Sequence, residues 1–179
     1  MIITLTGLPG SGKTSVAKGL SKHLHIKYLP LGNYFRKIAK KEKISILELT
    51  KHGDLIDYID KYQLKIAKKY KNVIIDSRMG AYLFRKKAKY RIYLHAPLKV
   101  RVKRISNRDN ESYKRALKET LSRERQELNH YTKHYGINYQ NKKLYNIVIN
   151  TEHTTVNDSV KKILKKILRK SIQANFSYV

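Results

Sequence analysis

The first fifteen residues constrain this chain most: the β-forming run Ile2 to Thr6 leads straight into Gly7-Leu8-Pro9-Gly10-Ser11-Gly12-Lys13-Thr14. The spacing G-x-x-x-x-G-K-[ST] describes a P-loop, which turns its backbone N–H groups inward around phosphate oxygens and carries glycines where a Cβ would block the approach. The apolar positions Val16, Leu20 and Leu24 then follow at helical spacing, so the motif has the strand–loop–helix setting it requires. Gly7, Leu8, Pro9, Gly10, Ser11, Gly12, Lys13, Thr14 and Ser15 are therefore the expected ATP cradle. Lys13 directs a point charge at the β and γ phosphates, the Thr14 hydroxyl is the expected Mg²⁺ ligand, and the helix that starts there adds its N-terminal dipole.

A chain of 179 residues holds one well-buried α/β core and a small lid, not two full domains. The absence of cysteine excludes a disulfide framework, a thiolate metal site and a cysteine nucleophile. The N-terminal strand has no leader-like run before it and no apolar stretch nears the ~20 residues of a membrane span, so a cytoplasmic protein without membrane attachment is expected. The charge is unusual, with 40 Lys+Arg against 13 Asp+Glu and a formal balance of +27. Such a field attracts polyanions, which keeps nucleic acid open as a secondary partner. The lysines are nevertheless spread along the chain rather than gathered in one arm, which favours solvated helix faces of a lysine-rich composition.

The rest of the chain alternates strand and helix patterns. Ile26 to Leu29, Asn72 to Asp76, Tyr90 to Ala96 and Tyr145 to Asn150 read as further strands. Helices are predicted from about Tyr34, from a capping box at Ser45 to Glu48, from Asp54, from Pro97, over Tyr113 to Tyr135 with a stop at Gly136, and over Val160 to Leu168. The polar run Ser106 to Ser112 reads as a mobile loop, and the residues from about Ser171 as a frayed end. Five strands alternating with helices predict a parallel, doubly wound sheet with its ligand at the carboxyl ends of the strands. His95 ends a strand and reads as a half-buried histidine without a catalytic task.

What is missing narrows the class. There is no Asn-Lys-x-Asp of a small GTPase and no Leu-Ser-Gly-Gly of a transporter ATPase, and without Asp-x-Asp or a Gly-Gly pair shikimate kinase fits poorly. What is present resembles the archaeal-type cytidylate kinases of the nucleoside monophosphate kinase family. The resemblance runs through Gly7 to Thr14, Gly32-Asn33-Tyr34-Phe35-Arg36, Ile56-Asp57 with Ile59-Asp60 and Gln63, Asp76-Ser77-Arg78, Ala96-Pro97-Leu98, Arg101 and Arg104, Glu119-Thr120 with Arg123-Glu124, Tyr131, and Ile147 to Thr151. Asn33, Asn138 and Asn150 depart from it, standing where related kinases carry Asp.

The resemblance implies a P-loop kinase fold with transfer of the ATP γ-phosphate to CMP or dCMP, aided by Mg²⁺ and carried out by a monomer. It divides the single domain 1–179 into core 1–31, acceptor-binding region 32–70, core 71–105, lid and long helix 106–136, core 137–172 and tail 173–179. It makes Lys13, Arg104, Arg108 and Arg123 the catalytic cations, with Arg101 a further lid arginine, and makes Thr14 and, through water, Asp76 the metal ligands. Gly32, Arg36 and Arg78 would hold the acceptor phosphate, and Asp60 would read the base, with Asp57 or Gln63 as rivals. The alternatives are another P-loop kinase, adenylate kinase-like or acting on nucleic-acid 5′ ends, and a non-catalytic basic nucleotide-binding protein.

Overall fold

The computed structural model describes residues 1–44, 48 and 53–176, without the side chains of 32, 33, 35, 36, 53, 55, 56, 59 and 174–176. The capping box at Ser45 lies outside the described residues. In chain order the elements are β1 (Ile2–Thr6), α1 (Lys13–Leu24), β2 (Lys27–Pro30), α2 (Leu31–Lys41), α3 (Gly53–Ala67), β3 (Val73–Asp76), α4 (Gly80–Leu83), β4 (Ala88–His95), α5 (Leu98–Asp109), α6 (Tyr113–Tyr135), a 3₁₀ turn (Lys142–Leu144), β5 (Ile147–Asn150) and α7 (Val156–Phe176).

The strands form one five-stranded parallel sheet in the order β2-β3-β1-β4-β5. Parallel strands need crossovers that bury both faces, which is why β1 and β3 read as apolar runs. One face packs Ile3, Leu5, Ile74, Ile92, Leu94, Ile147 and Ile149 against Val16 and Leu20 of α1 and Val160, Ile163 and Ile167 of α7. The other packs Val73 and Ile75 under Tyr62, Leu64, Ile66 and Ala67 of α3. The chain leaves β1 for β2 and returns to β1's other side at β4, so the carboxyl end of β1 is the switch point where such sheets open a cleft. Register pairs Leu5 with Asp76 and Thr6 with Tyr93, which sets the loops after β1 and β3 side by side. The Thr6 hydroxyl donates to the Ser77 carbonyl at 2.8 Å and ties them together.

Two expectations need correction. The polar run 106–112 is not a loop: α5 continues to Asp109, Asn110 turns left-handed (φ 51°), and Ser112 caps α6 by accepting from the Arg115 amide at 3.3 Å. Its polar residues are the solvated face of a helix end and a tight corner. Likewise, the last helix does not fray at Ser171, whose hydroxyl lies 2.7 Å from the Tyr90 phenol, and it runs to Phe176. By contrast, α6 spans Tyr113–Tyr135 and stops at Gly136, as the helical pattern and the glycine predict.

Candidate active site

Gly7 to Gly12 form a loop in which every carbonyl is engaged by a donor of the protein. Gly7 O accepts from Lys13 Nζ (2.8 Å) and Arg78 Nη1 (3.1 Å), and Leu8 O from Lys13 Nζ (3.0 Å) and the Ser11 amide (3.2 Å). Pro9 O accepts from Arg101 Nη1 (3.1 Å), Gly10 O from Arg104 Nη1 (3.4 Å), Ser11 O from the Thr151 hydroxyl (3.1 Å) and Gly12 O from the Val16 amide (3.0 Å). Gly10 has φ 77°, and a Cβ there would lie 2.4 Å from the Arg101 carbonyl of α5. Gly10→Ala is therefore expected to cost at least about 2 kcal/mol, from left-handed strain plus backbone overlap, measured as a lowered urea midpoint.

The loop forms one wall of a cavity of about 460 Å³ at the carboxyl ends of the strands. Lys13, Arg78, Arg104, Arg108 and Arg123 supply its positive charge, and Asp60, Asp76 and Glu127 its carboxylates. Burial, reinforced by the neighbouring Arg78 charge, holds the Lys13 ammonium well below the usual lysine range, although Asp76 and Glu127 oppose the shift. Lys13 is thus a desolvated cation with room beside it for an anion.

Asp76 ends β3 and accepts from Thr14 Oγ1 and from the Tyr28 phenol, each at 3.2 Å. A hydroxyl and a carboxylate in contact are the oxygen donors Mg²⁺ takes when substrate phosphates and water complete its shell. Among the described residues no group of three or more His, Cys, Asp or Glu could hold a metal without such help. The donor set therefore fits a Mg²⁺ that arrives with a nucleotide.

The arginines divide by partner. Arg101 is buried and donates to Ala96 O (3.0 Å) and Pro9 O while pairing with Glu124 of α6. It supports the loop from behind and does not line the cavity, which corrects its expected place among the lid arginines. Arg104 lines the cavity but is anchored on Thr151 O (2.7 Å) as well as Gly10 O. Arg108 pairs with Asp109 at the half-exposed end of α5. Arg78 and Arg123 share one carboxylate, Glu127: Arg78 Nε lies 2.7 Å from Oε2, and Arg123 Nε 2.8 Å from Oε1. Burial alone would raise the Glu127 acid, but the two guanidiniums outweigh it and hold it at about 2. Sequence reasoning missed Glu127; its signal was the i,i+4 spacing from Arg123 on a long helix.

On the far side of the cavity the three acidic and amide residues of α3 separate. Asp57 is taken by α6, accepting from the Tyr135 phenol (2.8 Å) and lying 3.2 Å from His130 Nε2. Asp60 lines the cavity, is 4 % exposed, and accepts at Oδ1 from Gln63 Nε2 (2.6 Å). Burial, then the nearby Asp57 charge, raises the Asp60 acid to about 7 against the opposing Gln63 hydrogen bond. Gly32 and Arg36 fall on α2, and their side-chain surroundings lie outside the described residues. His95 is half-buried, as expected.

Comparison with known proteins places this geometry among kinases. Residues 2–153 match the model of the cytidylate kinase-like family. A protein of Sulfurisphaera tokodaii named cytidylate kinase is 38 % identical over 156 residues, covering 85 % of this chain and 87 % of its own. One of Saccharolobus islandicus with the same name is 40 % identical over 162 residues, covering 88 % and 86 %. Among solved structures, shikimate kinase from Acinetobacter baumannii superposes with a TM-score of 0.63 at 17 % identity over 94 % of this chain and 93 % of its own, a likeness of fold alone.

Proposed function

The chain belongs to the cytidylate kinase-like family, and from that premise we propose that it is an ATP-dependent kinase moving the γ-phosphoryl group of ATP onto CMP or dCMP. The observation that carries the reading is the single cavity with two unlike walls. A phosphate-binding loop forms one wall, and a buried carboxyl on a separate helix, beside Arg78 and Tyr131, forms the other. A donor and an acceptor can meet between them.

Phosphoryl transfer asks the protein for position and charge compensation rather than covalent chemistry. The backbone N–H groups of the Gly7 to Ser15 segment, apart from Pro9, which has none, and Ser11, whose N–H is taken by Leu8 O, hold the donor phosphates with the Lys13 ammonium. An arriving anion adds counter-charge beside desolvated Lys13. Thr14 and Asp76 would hold a Mg²⁺ arriving with the nucleotide, which when bound would neutralise the phosphate oxygens. Arg78 and Arg123, both held by Glu127 and both lining the cavity, are assigned to the junction of the two substrates, and the family resemblance assigns Gly32 and Arg36 to the acceptor phosphate. Arg104 and Arg108 reach the cavity from α5 and meet the triphosphate. No catalytic base is required, because the acceptor phosphate is already an anion.

The test is ADP release with CMP, dCMP, UMP, AMP and GMP as acceptors. CMP or dCMP is expected to give the highest kcat/KM, while AMP as the best acceptor would overturn the reading of the base pocket. Tight oligonucleotide binding at physiological salt without nucleotide turnover would overturn the enzyme itself. No helix among the described residues is long and apolar enough to cross a membrane.

A further inference from the structure

Helix α3 carries two side-chain oxygens without a hydrogen-bond partner among the described residues, one of them on Asp60, which lines the cavity. Asp60 Oδ2 and Gln63 Oε1 have no partner among the described residues, although Asp60 is 4 % exposed and Gln63 fully buried. An unpaired buried oxygen costs about 1–3 kcal/mol, and Asp60, unlike Gln63, lines the cavity, so its Oδ2 points to a ligand that completes it. Gln63 Nε2 donates to Asp60 Oδ1, which marks Oδ1 as the acceptor oxygen of the carboxyl and leaves Oδ2 as the place for a proton.

Resting on the (d)CMP reading above, we propose that Asp60 recognises the acceptor base as a neutral carboxylic acid, Oδ2–H donating to the cytosine ring N3 while Oδ1 also accepts from the exocyclic amine. Cytosine presents a donor and an acceptor side by side on that edge, and a protonated carboxyl is the complementary acceptor–donor pair. An ionised carboxylate would set a lone pair against N3. Uracil carries N–H at N3 and a carbonyl at C4, so a neutral Asp60 whose Oδ1 is fixed as acceptor by Gln63 meets it donor to donor and acceptor to acceptor, while an ionised Asp60 can still accept from N3–H. One proton on Asp60 therefore decides how strongly cytosine is preferred over uracil.

The surroundings suit a proton held near neutrality. Burial and the Asp57 charge raise the Asp60 acid to about 7. The groups facing it are Asp57 and Gln63 on its own helix and Tyr131 and Tyr135 of α6, whose phenols are themselves pushed up by burial and remain uncharged. Asp57 is occupied by Tyr135 and His130, and α2 meets α3 through Tyr34 stacked on Tyr62. The cavity's cations, Lys13, Arg78, Arg104, Arg108 and Arg123, line the same cavity, and Glu127 lies among them as counter-charge to Arg78 and Arg123. A buried carboxylic acid kept neutral so that it can donate is an established way to build a polar pocket.

The test is the ratio of kcat/KM for CMP to that for UMP as a function of pH. The ratio cancels the ionisation of the acceptor phosphate and of the catalytic cations, which both substrates share. Wild type is expected to lose about tenfold in this ratio between pH 6 and pH 8, following one proton with a midpoint near 7. Asp60→Asn carries an N–H donor in place of Oδ2–H permanently, so its ratio is expected to stay flat near the value wild type reaches at low pH. Calorimetry of CMP binding at pH 8 in two buffers of different ionisation enthalpy should show proton uptake by wild type and none by the variant. A wild-type ratio that does not change with pH, with CMP turned over normally, would overturn this inference alone; so would a variant that keeps the wild-type slope. Failure of both pyrimidine nucleotides as acceptors would overturn the (d)CMP reading on which it rests.

Discussion

Lys13→Ala is expected to lower kcat by roughly 10³-fold with ATP and CMP saturating, because it removes the one charged side chain built into the phosphate loop. The effect should be separable from stability. The ammonium makes two hydrogen bonds to Gly7 and Leu8 carbonyls, yet it is held in place against burial and the Arg78 charge. Losing the bonds and relieving the desolvated charge oppose one another, so unfolding by urea should change by no more than about 1 kcal/mol. A variant that folds normally and still turns over near the wild-type rate would refute the role given to Lys13.

Glu127→Gln should be the most damaging substitution for stability. One buried carboxylate neutralises both Arg78 and Arg123 and also accepts from the Tyr139 phenol at 3.4 Å. Removing its charge leaves two guanidiniums facing each other in a low-dielectric wall, at a cost of about 3–5 kcal/mol. The pH dependence carries a matching signature. Glu127 is held at about 2, below the usual 4.5, so its contribution is complete above the unfolded value and is lost as pH falls from about 4.5 towards 2. Wild type should lose about 3 kcal/mol across that window through this group, and Glu127→Gln should lack that part of the slope in acid-dependent urea unfolding. Turnover should fall as well, since both arginines lose the anchor that aims them.

The parts legible in the sequence are those whose signals are local. The loop after β1 needs eight consecutive residues, and α6 announces its C-terminal end through Gly136. The apolar runs of β1 and β3 are long enough to be read without their partners. Polarity alone misled at 106–112, because an exposed helix end and an exposed loop draw the same residues; only the left-handed turn at Asn110 separates α5 from α6. The candidate site was legible in its phosphate-binding half for the same reason. The other half depends on contacts across the fold, such as Arg78 with Glu127 at a separation of 49 positions and Tyr135 with Asp57 at 78. Nothing in the local sequence distinguishes Asp57 from Asp60, three residues apart on one helix. Their neighbours on α6 do, by occupying the first.

The hydrogen-bonded carbonyls of the Gly7 to Gly12 loop have an electronic consequence. Gly7 O rests against an ammonium and a guanidinium, and Pro9 O and Gly10 O each against a guanidinium. A peptide group whose oxygen is pulled by a cation gives up more of its electron density, and its own N–H becomes a stronger donor. The amides of Leu8 and Gly10, which share peptide planes with the carbonyls of Gly7 and Pro9, are thereby polarised before any phosphate arrives. Arg101, which does not line the cavity, would act on a bound phosphate through the loop, by making the backbone itself a more electropositive surface.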